Sequence, residues 1–316
     1  MEAIHTPVLL EETIHYLAPR TPGELMIDAT LGEGGHSAAF LERFPSLCIA
    51  GVDADREIQT RARERLAAYG TRFSCYNRWA GEFFSDYPAG LPPPDTIFFD
   101  LGVSLYHYEA AGRGFSFLRD EYLDMRLDTS RGQTAAELIA GLPEKDFADL
   151  LYNNAGERYS RRIAAAVCAV RRNSPVTGTL ALAALVASAV PSSYRRGPLH
   201  PATRTFQALR MAVNTEAENL PAMLEKALGC LKTGGRMGVI SFHSGEDRKV
   251  KHFFREKSAD YTREADTPIP RSEGVYSVKV LTRKPLIAGA EECRNNPPSR
   301  SAKFRAVEKT GYGEVS

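Results

Sequence analysis

The chain has 316 residues, 43% of them hydrophobic and 25% charged, with a formal net charge of +1 at pH 7. This is ordinary globular composition, and the length allows one large domain or two of average size. The five cysteines lie far apart without a C-x-x-C pair, so neither a disulfide framework nor a zinc site is expected. The sequence begins without a secretory signal, and its most apolar run has eleven residues, against the roughly 20 that cross a bilayer. We therefore expect a cytoplasmic protein without a membrane partner.

The first informative element is a glycine cluster that follows an apolar strand pattern. Residues 25–27 predict the end of a buried strand, and Gly32, Gly34 and Gly35 come directly before a predicted helix. Glycines let the backbone bend sharply and approach a ligand, and the start of a helix offers unpaired N–H groups to an anion. The pattern predicts a nucleotide-cofactor turn, although a lone turn of this kind is weak evidence by itself.

Two acids end the strand patterns that follow. The pattern at 48–52 ends at Asp53, nineteen residues after the middle glycine, where the acid of a nucleoside-binding fold binds the ribose diol. The pattern at 96–99 ends at Asp100. Open α/β sheets bind ligands at the carboxyl ends of their strands, so a nicotinamide dinucleotide and S-adenosylmethionine both fit. Ser37, at the position of the last fingerprint glycine, disfavours the dinucleotide.

The pattern then becomes helical and later returns to strands. Helices are predicted at 134–142, 144–153, 158–172 and 180–190. A long amphipathic helix from Thr205 to about Lys232 is followed by a strand at 236–242, a helix at 246–256 and two antiparallel strands at 278–282 and 302–307. The predicted fold class is therefore α/β, a mostly parallel sheet with an antiparallel closing strand. The predicted domains are a discontinuous cofactor domain, 1–108 with 205–316, and an inserted helical domain, 109–204.

One stretch is strongly basic although the whole chain is near neutral. Between residues 150 and 210 there are nine arginines, one acid (Glu157) and no lysine, a local charge of +8. A solvated helix face ordinarily mixes both signs, whereas arginine alone suits phosphate contacts and stacking on bases. A polyanion partner, most simply RNA or DNA, is predicted for this stretch.

With these motifs the chain resembles the RsmH (MraW) family, bacterial methyltransferases of the small ribosomal subunit RNA. The resemblance spans almost the whole length. It is carried by eight blocks in order: HTPVLLE (5–11), DATLGEGGHS (28–37), DLGVS (100–104), RGFSF (113–117), LDMR (123–126), HPATRTFQALR (200–210), SFHSGEDR (241–248) and RSAKFR (300–305).

The resemblance implies a class I, Rossmann-like methyltransferase. It would move the methyl group of S-adenosylmethionine to the exocyclic N4 amine of one cytosine in the decoding centre of 16S rRNA, within the small ribosomal subunit. The family's cofactor contacts map onto Gly34, Gly35, His36, Asp53 and Asp100. Trp79 stands where the family often has Phe and would form the adenine-side wall. His107 stands where a cofactor-contacting Gln usually lies, and Gly245 replaces the Leu of the family's HSLEDR block.

Asp100 is also the candidate catalytic residue, because a carboxylate at a strand end could accept an amine hydrogen while the new bond forms. A purely cofactor-binding role is the alternative. Candidate RNA contacts are His200, Arg204, Gln207, Arg210 and His243. A hinge is the alternative for the cluster 200–207, and Ser244 with Asp247 also has the spacing of a helix cap.

The target cytosine has to be unpaired or turned out of its helix to reach such a site. Tyr106, Phe115 or Phe117 could stack on it, or could serve as simple structural anchors. Two other functions remain open on the sequence alone. One is an RNA-binding ribosome assembly factor without catalysis, and the other is an NAD-dependent dehydrogenase, which would leave the arginine-rich stretch unexplained.

Overall fold

The computed structural model describes residues 6–258 and 278–311. His5, which begins the first family block, lies outside the described residues. Internal contacts divide the chain into two compact units, a sheet unit (Met1–Gly102 with Asn219–Ser316) and a helical unit (Val103–Glu218). Residues 103–108 and 205–218, which the sequence-based division gives to the cofactor domain, belong to the helical unit in the structure.

The sheet unit contains one sheet of eight strands within the described residues. They are β1 (Leu25–Asp28), β2 (Cys48–Asp53), β3 (Phe73–Asn77), β4 (Thr96–Asp100), β5 (Arg236–Ser241), β6 (Val278–Val280), β7 (Leu286–Ile287) and β8 (Lys303–Lys309). The order across the sheet is β3-β2-β1-β4-β5-β8-β6, with β7 beside β8. Strands β1 to β5 run parallel, so their carboxyl ends share one edge of the sheet.

The predicted antiparallel closing strands are confirmed, since β8 pairs antiparallel with both β5 and β6. The sequence pattern did not indicate β3, and it treated β4 as the third strand. The reason is burial: β3 is an edge strand whose five residues are all partly or fully exposed, whereas every residue of β1 is buried. An edge strand of this kind lacks the apolar run that marks a buried parallel strand.

The chain has fourteen α-helices within the described residues. They are α1 (Leu10–Leu17), α2 (Gly35–Arg43), α3 (Arg56–Leu66), α4 (Ala80–Ser85), α5 (Leu105–Glu109), α6 (Ala135–Gly141), α7 (Glu144–Ala155), α8 (Ser160–Arg171), α9 (Thr179–Ala189), α10 (Ser192–Arg195), α11 (Thr203–Val213), α12 (Glu216–Cys230), α13 (Ser244–Glu256) and α14 (Ala290–Asn295). The four helices predicted between 134 and 190 are present as α6 to α9. No helix in the described part of the chain is both long and apolar enough to cross a membrane.

Apolar side chains cover both faces of the sheet and, separately, the centre of the helical unit. One cluster combines Phe83, Phe99 and Phe254, and a second on other elements combines Phe40, Phe98 and Phe304, all with at most 2% exposure. A sheet covered on both faces is what a parallel α/β arrangement requires. The helical unit has its own cluster around buried residues of α6, α7, α8, α9 and α11.

The long helix predicted from Thr205 to about Lys232 is wrong in one respect, because the structure breaks it at Asn214 and Thr215. Asn214 donates to the carbonyl oxygens of Met125 and Arg210 and accepts from Leu127 N, at 2.8–2.9 Å. Thr215 has a φ of 50°, in the left-handed region. Amphipathic periodicity continues across this break, so only these hydrogen bonds and the backbone turn reveal it.

Candidate active site

The glycine turn holds the carboxylate of Asp53. Gly32 and Gly34 have φ values of 51° and 74°, a conformation that costs little only for glycine. In this conformation Gly32 N donates to Asp53 Oδ2 at 2.8 Å, and Asp55 N donates to Asp53 Oδ1 at 2.9 Å. The turn after β1 and the end of β2 are therefore joined through one carboxylate.

The three glycines of the turn have different surroundings. A Cβ on Gly34 would lie 2.9 Å from Leu66 Cδ1, and one on Gly35 would lie 3.0 Å from Pro7 Cγ. A Cβ on Gly32 would meet no atom closer than 4.0 Å. Gly34 and Gly35 thus let α2 pack closely on its own unit, and the open space lies beside Gly32.

Asp100 ends β4 next to His36 of α2. Asp100 N donates to Thr30 Oγ1 at 2.6 Å, and Asp100 Oδ2 lies 3.5 Å from His36 Nδ1. His36 Nε2 is 3.0 Å from the carbonyl oxygen of Val8, an acceptor only, so Nε2 carries the proton and donates there. Asp100 Oδ1 is buried and has no hydrogen-bond partner among the described residues.

Two acids at this edge, Asp100 and Asp28, have raised pKa values. Burial, together with the charges of Asp28 and Glu246, raises the pKa of Asp100 well above its ordinary value. Burial also raises the pKa of Asp28 to about 6, against the hydrogen bond that Ser37 Oγ donates to it at 2.6 Å. No site role was predicted for Asp28 or Glu246 from the sequence. The available signal for Asp28 was the one used for Asp53 and Asp100, an acid at the carboxyl end of a strand.

Trp79 lies close to the end of β2 because the backbone after β3 is tied to it. Asn77 Nδ2 donates to the carbonyl oxygens of Asp53 and Ala54 at 3.1 and 3.0 Å, and Arg78 N donates to that of Asp53 at 3.0 Å. Trp79 follows directly, half-buried, as the residue that precedes α4. The structure therefore brings Asp53 and Trp79 to the same part of the sheet edge.

His243 follows β5 on the same edge and begins α13. Its Nδ1 accepts from Glu246 N at 3.3 Å, and its Nε2 lies 3.0 Å from Glu246 Oε1. Glu246 Oε2 in turn accepts from Phe242 N at 3.0 Å. His243 is therefore the helix cap, and it also positions one of the acids that raise the pKa of Asp100.

The helix-cap interpretation of Ser244 and Asp247 is consequently wrong in its residues. Ser244 is the first helical residue and His243 takes the capping position. Asp247 instead accepts from Arg305 Nε at 2.7 Å, a contact that ties α13 to β8. The block does begin a helix with a side-chain cap, but the acceptor is the imidazole nitrogen of His243 instead of the hydroxyl oxygen that the motif ordinarily uses.

The other predicted site residues belong to the helical unit. His107 is 4% exposed, and its ring packs against Phe115 and Tyr106, with centroids 5.1 and 5.8 Å away. Phe115 and Tyr106 are themselves buried, at 4% and 6% exposure. These two aromatic residues therefore anchor α5 and the loop that follows it, which matches the anchor alternative. Phe117 is partly buried and packs edge-on against Phe206.

Among the predicted RNA contacts, two differ sharply. His200 is exposed and its ring lies 4.6 Å from that of Phe117 at an angle of 32°. Arg210 is 8% exposed, and its Nε and Nη2 donate to both carboxylate oxygens of Glu216 at 3.0 and 2.9 Å. An RNA phosphate would have to compete with this two-pronged ion pair for Arg210. Arg204 donates to Tyr194 Oη at 2.9 Å, and Gln207 is partly buried.

Comparison with known proteins identifies the family. Residues 2–310 match the model of the MraW methylase family. This chain belongs to that family. Ribosomal RNA small subunit methyltransferase H of Treponema denticola is 48% identical over 314 residues, which covers 99% of this chain and 100% of that protein. The proteins of the same name from Treponema pallidum (40% over 350 residues, 96% of this chain and 92% of that protein) and Syntrophobacter fumaroxidans (48% over 311 residues, 97% of each) are also similar.

MraW-family membership makes this chain a methyltransferase that uses S-adenosylmethionine, on the Rossmann-like fold that the resemblance implied. The residues at the sheet edge fit that cofactor. S-adenosylmethionine carries a sulfonium cation and a ribose diol, and carboxylates suit both groups. The sheet edge has several carboxylates, and one of their oxygens, Asp100 Oδ1, is buried without a hydrogen-bond partner among the described residues. Burial, with a smaller contribution from neighbouring acids, raises the pKa of Asp100 and Asp28, and a nearby positive charge favours their ionised forms.

Proposed function

We propose that this chain methylates the exocyclic N4 amine of a cytosine, cytosine 1402 in the decoding centre, in the 16S rRNA of the small ribosomal subunit. The names of its relatives support the ribosomal RNA substrate. The observation that carries the reaction is Asp100, a carboxyl group at the end of β4 with a raised pKa and a buried oxygen free of partners among the described residues. We also propose that the protein acts in the cytoplasm.

The cofactor supplies an electrophilic methyl group on a positively charged sulfur. Asp53 binds the ribose hydroxyls of the cofactor, and Trp79 forms the wall beside its adenine. The glycine turn, with Gly34, Gly35 and His36, surrounds the rest of the cofactor. His107 is proposed as a further cofactor contact, in keeping with the family position that it occupies. The protein's main task is alignment, because holding the reacting atoms in line is worth up to roughly 7–11 kcal/mol of the barrier.

The amine of cytosine is a weak nucleophile, because its lone pair is delocalised into the ring. When Asp100 accepts a hydrogen bond from this amine, the lone pair becomes more available as the N–C bond forms. The nitrogen would gain the methyl group while the S–CH3 bond breaks and S-adenosylhomocysteine leaves, and it would lose one proton to the Asp100 carboxylate. A raised pKa makes this carboxylate a stronger acceptor than an exposed aspartate would be, provided that it is ionised when the reaction begins.

The RNA contacts are proposed at His200, Arg204 and Gln207 in the helical unit and at His243 in the sheet unit. For Arg210 we propose a supporting role instead, because its guanidinium is already bound by Glu216 and by Tyr108 Oη at 3.0 Å. The exposed ring of His200, already stacked on Phe117, is suited to contact a base or a sugar.

The test is transfer of labelled methyl from S-adenosylmethionine to small ribosomal subunits from cells that lack this protein, followed by nucleoside analysis. Label in N4-methylcytosine is the expected result. Label in another nucleoside would refute the proposed acceptor, and absence of label with both naked 16S rRNA and assembled subunits would refute the proposed substrate. Subunits from cells that contain the protein are the control, because their acceptor is already methylated.

A further inference from the structure

Two sets of arginines in the basic stretch 150–210 make contrasting contacts. Arg171 donates to the carbonyl oxygens of Ile139 and Leu142, Arg204 donates to Tyr194, and Arg210 is bound by Glu216. Arg171 and Arg210 hold the unit together through these contacts, and Arg204, proposed above as an RNA contact, has one donor on Tyr194. A second group, Arg158, Arg161 and Arg162, is exposed and makes no hydrogen bond or ion pair with any described residue.

The three unpaired arginines line one cavity of about 340 Å³. Tyr152, which is 62% exposed, and Asp149 contribute to the same lining from α7. The lining contains three arginines and one carboxylate, that of Asp149, so it carries a net positive charge. Three guanidinium groups and an exposed aromatic ring around one concavity match the two parts of a nucleotide, an anionic phosphate and a flat base.

On one side of this cavity, Arg158 is positioned by contacts with neighbouring side chains. The guanidinium of Arg158 lies over the rings of Tyr159 and Tyr194, 5.0 and 4.9 Å from their centroids. Tyr194 Oη donates to Glu157 Oε2 at 2.7 Å, and Glu157 is fully buried. Arg158 is thus ordered by cation–π contacts and not by an acid, so its hydrogen-bond donors stay available for a ligand.

We propose that this cavity, the Arg158 pocket, binds one nucleotide of a single-stranded stretch of the substrate RNA. The base stacks on Tyr152, and the phosphate is bound by Arg161 and Arg162 beside Arg158. Stacking on an aromatic ring combined with arginine–phosphate contacts is how proteins bind single-stranded RNA with little sequence preference. This inference rests on the proposed function, since it assigns the pocket to the RNA of the methylation reaction.

The first experiment measures binding of a short fluorescent single-stranded oligoribonucleotide of mixed sequence to the full-length protein, with Arg161→Ala and Arg162→Ala made singly and together. The double variant should weaken binding by about tenfold and reduce the slope of log K against log salt by about 0.7 for each phosphate that is no longer bound. Arg172→Ala is the control for the single variants, because it removes the same charge from an exposed position just beyond the other end of α8. If each single pocket variant binds no more weakly than Arg172→Ala, with an unchanged salt slope, the Arg158 pocket does not bind RNA phosphate.

The second experiment separates stacking from charge. Tyr152→Ala should weaken oligoribonucleotide binding by about fivefold or more, whereas Tyr152→Phe, which keeps the ring, should bind as the wild type does. A duplex of the same sequence should show little difference between these variants. Equal loss with Tyr152→Ala and Tyr152→Phe, or equal loss on the duplex, would contradict base stacking.

Methylation of small subunits then connects the pocket to the reaction. The double arginine variant should raise KM for the subunit while kcat at saturation stays within about twofold, because these side chains bind RNA away from the reacting atoms. An unchanged KM with active enzyme would overturn the pocket and leave the proposed function standing. Failure of the wild type to methylate any subunit would overturn the proposed function, while the oligoribonucleotide measurements would still decide whether the pocket binds RNA.

Discussion

The sheet unit and the helical unit use charge in opposite ways. At the carboxyl edge of the sheet the functional acids are buried or half-buried, and burial together with neighbouring acids raises the pKa of Asp100 and Asp28. In the helical unit the arginines of the pocket are exposed, and the buried arginine is already paired. Burial of an acid changes its chemistry, whereas an exposed arginine keeps its charge and can exchange water for an RNA phosphate.

This difference indicates where to expect effects on catalysis and where to expect effects on binding. A substitution among the buried acids should change rates and pH profiles. A substitution among exposed arginines should change affinity and its salt dependence. A substitution of the paired arginine should act through stability.

The largest effect is expected from Asp100→Asn. Asparagine keeps the size of the side chain but cannot take the proton, so single-turnover methyl transfer at saturating cofactor should fall about 100-fold or more. In the wild type the rate should fall as the pH is lowered, because Asp100 with its raised pKa becomes protonated and can no longer accept the amine hydrogen. Rapid-quench measurements with labelled S-adenosylmethionine give both quantities.

Asp146→Asn is the matched control for this substitution, because Asp146 is exposed in the first turn of α7, in the helical unit. It should leave the single-turnover rate unchanged. If Asp100→Asn weakened only cofactor binding and retained the wild-type rate at saturation, Asp100 would be a binding residue alone.

Arg210→Ala tests the claim that one arginine of the basic stretch is structural. The ion pair with Glu216 is only 10–15% exposed, so removing Arg210 leaves a nearly buried carboxylate without its partner. We expect the free energy of unfolding to fall by about 2–3 kcal/mol. Urea denaturation followed by circular dichroism measures this change. Arg172→Ala, at an exposed position, should stay within about 0.5 kcal/mol of the wild type, and equal stability of the two variants would contradict the structural role of Arg210.

These arginines also show what the sequence could and could not predict. The count of nine arginines against one acid between residues 150 and 210 marked a strongly basic stretch inside the helical unit. It could not distinguish Arg210 from Arg161, because the partner of Arg210 becomes its neighbour only through the break between α11 and α12. Pairing depends on where the backbone turns, and charge counts carry no information on that.

The sheet edge was more predictable than the helical unit. Strands β1, β2 and β4 are apolar runs that end in acids, and the parallel arrangement brings such ends together without further information. The carboxylates of Asp53 and Asp100 are found there. The sequence pattern did not predict that these acids interact. From the sequence, Asp28 is the last residue of a strand and Glu246 belongs to the start of a helix, and only the structure shows that both lie near Asp100.

Asp28 gives a smaller effect that depends on pH. Its pKa in the folded protein is about 6, above its ordinary value of 3.8, so the folded state binds the extra proton between these values. The contribution of protonated Asp28 to the free energy of unfolding is therefore present at low pH and is lost as the pH rises through 6. Relative to Asp28→Asn, the wild type should lose about 2 kcal/mol of unfolding free energy between pH 4.5 and pH 7.5.

Ser37→Ala sharpens the same measurement. Ser37 donates to the ionised form of Asp28, so its removal should raise the pKa of Asp28 further and enlarge the pH-dependent loss. Chemical denaturation at a series of pH values supplies the comparison. A difference between wild type and Asp28→Asn that does not vary with pH would mean that Asp28 titrates no differently when folded.

The smallest effect concerns how the two units build their turns. The sheet unit makes its turn before α2 with glycines at positive φ, whereas the helical unit makes the turn between α11 and α12 with Thr215 at a φ of 50°. A β-branched residue in the left-handed region is strained by about 1 kcal/mol or more, because its Cβ approaches the backbone. Thr215→Gly should therefore stabilise the protein relative to Thr215→Ala by up to about 1 kcal/mol. Both variants lack the hydroxyl group that donates to Asn214 O, so the difference in their stability measures the effect of the Cβ alone. A glycine variant less stable than the alanine variant would show that the greater conformational entropy of glycine in the unfolded chain outweighs the strain.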